Sequence, residues 1–90
     1  MLKEVKTTAV QTDSLEELRL TYYVFDTSLE LEGISSRRYG VRVETSRGEA
    51  ETVADVSGSR EAVLALIDRM CAGAVTPATV RDVISDWLCE

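Results

Sequence analysis

Two stripes of apolar residues in the last third of the chain set the terms for everything before them. Within residues 59–71, Val63, Leu66, Ile67 and Met70 recur at helical spacing. Within residues 77–88, Val80, Val83, Ile84, Trp87 and Leu88 do the same. A helix with one apolar face must cover that face against another element. The preceding residues must therefore supply a surface broad enough for both stripes. Local signals bound the two helices at about 58–72 and 77–88. Ser57-Gly58-Ser59 offers hydroxyls to cap the first, and Glu61 complements its dipole. Gly73 is a natural stop, Thr76 an N-cap, and Pro77 a first helical residue that needs no N–H.

The surface is expected from strands within residues 2–56. In residues 18–26 the alternation is clear: Leu18, Leu20, Tyr22 and Val24 fall on one side, Arg19, Thr21, Tyr23 and Phe25 on the other. The first set is the better core face. Residues 2–10 are rich in β-branched side chains and read as a further strand, followed by a turn at 11–14. Residues 27–36 place Leu29, Leu31 and Ile34 among carboxylates. The strand is expected to run on to about Leu31, turn at Gly33 and cross over. Residues 37–56 read as a hairpin with arms at 38–45 and 49–56 and Arg47-Gly48 at the tip. A two-residue loop there sets Val43 opposite Thr52, Val41 opposite Ala54 and Tyr39 opposite Val56, which gathers the apolar groups on one face. A three-residue loop sets Val43 opposite Glu51 and disturbs that face, so the pattern selects the shorter loop. Its cost is Glu44 opposite Glu51, relieved by Arg42. The sum is an α+β fold: an antiparallel sheet of three to four strands with two helices packed on one face, in one domain over residues 1–90.

Composition narrows function chiefly by exclusion. The chain has 90 residues, 10 basic and 16 acidic, for a net charge of −6. That balance opposes phosphate backbones and anionic membrane surfaces, so neither nucleic acid nor membrane is an expected partner. No apolar run reaches the ~20 residues of a membrane span, and the first residues lack the apolar core of a signal peptide. A cytoplasmic protein is expected. Cys71 sits near the end of the first helix and Cys89 just past the end of the second; with the helices folded back on each other the two lie about 18 Å apart at ~1.5 Å per residue, too far for a disulfide. Burial in a chain this short is modest, which favours self-association and makes a homodimer an expected state.

Few constellations carry chemistry. The sequence contains no histidine, which removes the commonest general base and metal ligand and every Ser-His or Cys-His pair. Two isolated cysteines make no zinc site, and no glycine-rich phosphate loop is present. Asp82 and Asp86, at i and i+4, read as a solvated helix face. Cys71 lies at a helix C-terminus, where the dipole does not activate a thiol. A non-enzymatic chain without a cofactor is therefore expected. Arg37, Arg38 and Arg42 form the basic cluster. It solvates a hairpin among carboxylates or, alternatively, holds an anion or small ligand. Residues 73–80, Gly-Ala-Val-Thr-Pro-Ala-Thr-Val, resemble the turn and start of the reading helix in helix-turn-helix DNA binders. The spacing from glycine to proline is one residue longer, and Asp82 and Asp86 would face a groove lined with phosphates, so this reading ranks last. If Leu20, Tyr22 and Val24 face the helices, then Tyr23, Phe25 and Val53 face away. Those three are the candidate interaction surface, for a second copy or another protein.

Thr21-Tyr22-Tyr23-Val24, Tyr39-Gly40-Val41, a helix after Ser57, and Thr76-Pro77 leading into Asp82-Val83-Ile84-Ser85-Asp86-Trp87-Leu88 span most of the chain from Leu18 onward. On these residues the chain resembles a small uncharacterised bacterial family, a domain of unknown function of about this length. The resemblance implies a sheet with two helices and carries over no activity, ligand or catalytic residue.

Overall fold

A computed structural model describes the backbone of residues 2–11 and 16–89, and the side chains of residues 5–10, 16–28, 30 and 32–89. The element order is β1 (Leu2–Gln11), β2 (Glu17–Leu31), β3 (Ile34–Thr45), β4 (Ala50–Ser57), α1 (Arg60–Ala72) and α2 (Val80–Leu88). The strands form one antiparallel sheet in sequence order, and both helices cover the same face. The α+β reading holds. The turn expected at 11–14 falls, past Gln11, outside the described residues.

The core has the composition that the alternation assigned. Leu20, Tyr22, Val41 and Val43 from the sheet meet Val63, Leu66, Ile67 and Met70 from α1 and Val80 and Ile84 from α2, all essentially inaccessible to water. Tyr22 pairs with Val43 and Val24 with Val41, which fixes these side chains on one face. Tyr22 also brings a polar group inside. Its hydroxyl donates to the Val75 carbonyl at 2.8 Å and lies 3.3 Å from that of Met70. The sheet thereby grips the segment between the helices. Burial pushes this hydroxyl's pKa up to about 12, and neighbouring Cys71 adds in the same direction.

The hairpin between β3 and β4 differs from the expectation. Its loop has three residues, Ser46-Arg47-Gly48, so Val43 faces Glu51, Arg42 faces Thr52 and Val41 faces Val53. Gly48 N–H donates to the Thr45 carbonyl and Thr45 N–H to that of Glu49, with Gly48 at φ 94°. This is a turn closed by a glycine bulge. The buried Thr45 hydroxyl accepts from the N–H groups of Arg47 and Glu49 and holds the loop closed. The apolar face survives because β4 is not a continuous alternation. The register breaks between Tyr39 and Val41, Asp55 takes φ 58°, and Val56 returns to the core. Glu51, which this register places on the helix side, pairs with Arg81 of α2 at 3.1 Å.

The helix boundaries also shift. Ser59 caps α1 as expected, its hydroxyl accepting from Ala62 N–H. At the other end Gly73 is not the left-handed residue; Ala74 is, at φ 51°. Val75 N–H reaches the Met70 carbonyl and Ala74 N–H that of Cys71, the bond pattern of a Schellman cap. Residues 77–79 are a turn rather than the first turn of α2, because Thr79 N–H bonds back to the Thr76 carbonyl. Thr79, not Thr76, precedes the helix. Leu88 is 57% exposed, so the apolar stripe of α2 ends with Trp87.

Candidate functional site

The helices leave the opposite face of the sheet open. Residues on that face form a polar network around Arg42. Its Nε donates to Glu44 at 2.7 Å and its Nη1 to the Thr52 hydroxyl at 2.8 Å. The bond from Arg42 holds the Glu44 carboxyl below its ordinary range, and a bond from the Tyr23 hydroxyl adds to this. Tyr23 and Phe25, expected on this face, are there and half-buried. Phe25 lies across Gly40: a Cβ at Gly40 would sit 2.5 Å from the Phe25 ring and 2.6 Å from the Val53 carbonyl oxygen. Only glycine permits this approach. Val53 does not join them. The three-residue loop sets it opposite Val41, on the helix side, packed against the core.

The larger feature of this face lies beyond the body. β1 pairs with β2 as far as Phe25, and β4 pairs with β3 as far as Tyr39. Past those residues, among the described residues, β2 and β3 continue alone, paired from Thr27–Arg38 to Leu31–Ile34. They close on Glu32 and Gly33, at φ 53° and 79°. Two successive positive φ values define the primed turn whose twist suits a two-residue hairpin, so the chain turns straight back instead of crossing over. The result is a two-stranded arm on a molecule 53 Å long and 18 Å thick. Every described side chain from 27 to 37 is exposed, with Ile34 at 71%. The sequence carried one sign of it, Gly33 between two β-rich runs. The polar residues Thr27, Ser28, Ser35 and Ser36 gave the arm the composition of a loop.

The arginine cluster does not converge on one point. Arg42 is engaged as above, Arg38 pairs with Asp55, and Arg37 lies 3.6 Å from Asp26. Arg37 and Arg38 are successive strand residues and so face opposite ways. Arg81 donates to Glu51 and to the Thr52 carbonyl, covering the edge of β4. Between α1 and α2 is an open cleft of about 250 Å³ lined by Leu66, Arg69, Met70, Val83, Asp86 and Trp87. Cys71 and Cys89 are free thiols. Among the described residues no group of three or more Cys, Asp or Glu is placed to hold a metal ion. No helix there is long and apolar enough to cross a membrane, which leaves β-barrels unaddressed.

The sequence model of a family of unknown function (DUF6514) matches residues 1–90, and the chain belongs to that family. No curated protein and no solved structure matches it.

Proposed function

We propose that this member of DUF6514 is a small cytoplasmic, non-enzymatic domain that works by contacting protein, through its open sheet face and the arm that extends it. The observation that carries the reading is the exposure of the arm on both sides. Ordering a residue costs about 1–2 kcal/mol of backbone entropy, and a two-stranded ribbon alone is marginal in water. The described side chains of residues 27–37 bury little within the chain that would offset this cost. A partner that covers the arm supplies the missing burial. The absence of histidine from the sequence and the free thiols fit a non-catalytic role in a reducing compartment.

The test is a photo-crosslinking amino acid in place of Ile34, compared in cells with the same group in place of Leu88, which is exposed on α2. Discrete protein adducts from position 34, absent from position 88, are expected. No adducts from 34, or the same adducts from both, would contradict the reading.

A further inference from the structure

We infer that the partner of the arm is the arm of a second copy, laid antiparallel about a two-fold axis. This rests on the contact role proposed above and adds the identity of the partner. The argument is charge order along the arm. Glu30 and Glu32 mark its tip, while Arg37 and Arg38 mark its base, where they pair in register with Ser28 and Thr27. At ~3.3 Å per residue the two ends stand on the order of 10 Å apart. Two arms aligned in the same direction set carboxylate against carboxylate and guanidinium against guanidinium. Two arms aligned in opposite directions set each tip against the other's base, twice, as an isologous contact requires. Existing pairs at the base do not forbid this. Arg37–Asp26 is long and both partners of Arg38–Asp55 are at least a third exposed, so each is weak and exchangeable. Ile34, 71% exposed and paired with Leu31 at the tip, supplies apolar area to the contact.

Two reversed chains test it. One carries Glu30→Arg with Glu32→Arg, the other Arg37→Glu with Arg38→Glu. Sedimentation equilibrium of the wild type is expected to give twice 9.9 kDa. Each reversed chain alone is expected to self-associate at least tenfold more weakly, and an equimolar mixture to recover a one-to-one heterodimer. Circular dichroism and thermal unfolding verify that each chain is folded. If the base reversal unfolds beside Asp55, Arg37→Gln with Arg38→Gln replaces it: weakened self-association supports the pairing, and undiminished self-association overturns it. A monomeric wild type, undiminished dimers from either reversed chain, or a mixture of reversed chains that stays monomeric would also overturn it. A monomeric wild type that still crosslinks from position 34 to a different protein removes the self-pairing and leaves the contact role standing.

Discussion

Tyr22 and Ile34 belong to the same long hairpin, yet one is fully buried and the other is 71% exposed. The strands, their direction and their hydrogen-bond ladder are common to both regions. What changes is the layer beneath. In the body, β2 and β3 lie under two amphipathic helices and between two flanking strands. In the arm no described element lies over them. Strand pairing is therefore not what distinguishes the buried body from the exposed arm; the area buried behind the ladder is. Tertiary packing holds the body, and the arm borrows its order from the strands that feed it.

This contrast orders the expected mutational effects. Leu66→Ala removes a fully buried side chain from the centre of the helix layer, and a loss of 2–5 kcal/mol in denaturant unfolding is typical for such cavities. Gly40→Ala is expected to lose at least ~2 kcal/mol, because its Cβ meets both the Phe25 ring and the Val53 carbonyl. Tyr22→Phe is expected to cost about 1–2 kcal/mol near neutral pH by orphaning the Val75 carbonyl. It also has a pH signature. The folded hydroxyl holds its proton up to about pH 12 while the unfolded one releases it near pH 10, so wild-type stability falls as pH rises between those values. The fall amounts to roughly 2 kcal/mol, and Tyr22→Phe is expected to flatten that part of the pH profile. Ala74→Gly relieves a left-handed alanine in the cap of α1 and is expected to stabilise by about 1 kcal/mol. Ile34→Ser in the arm is expected to change the unfolding of the isolated monomer by less than ~0.5 kcal/mol. A large loss there would erase the distinction between body and arm.

The same contrast explains what could be read from the chain. Leu20, Tyr22, Val24, Val63, Leu66 and Ile67 were legible because a buried face imposes a period on its sequence. Glu51 and Val53 were misplaced because β4 is not one unbroken alternation. The glycine bulge at Gly48 and the break near Asp55 each shift that alternation, and their signals are single residues. Ala74 was missed as the left-handed cap because a glycine stood beside it. Of the candidate surface, Tyr23 and Phe25 were legible by subtraction from the core face. Of the arm, the strand to Leu31 and the turn at Gly33 were legible, but the return of the chain along β2 was not, since the exposed residues Ser35, Ser36 and Arg37 carry no apolar period.

The most direct test is to remove the arm. Asp26 and Tyr39 are partners across the ladder, so an Asn-Gly turn joining them closes the body in a two-residue hairpin. The shortened chain is expected to unfold cooperatively, within about 1 kcal/mol of the monomeric wild type, and to lose the intermolecular contact by sedimentation and crosslinking. A shortened chain that does not fold, or one that keeps the contact undiminished, would contradict the division of this molecule into a self-sufficient body and a docking arm.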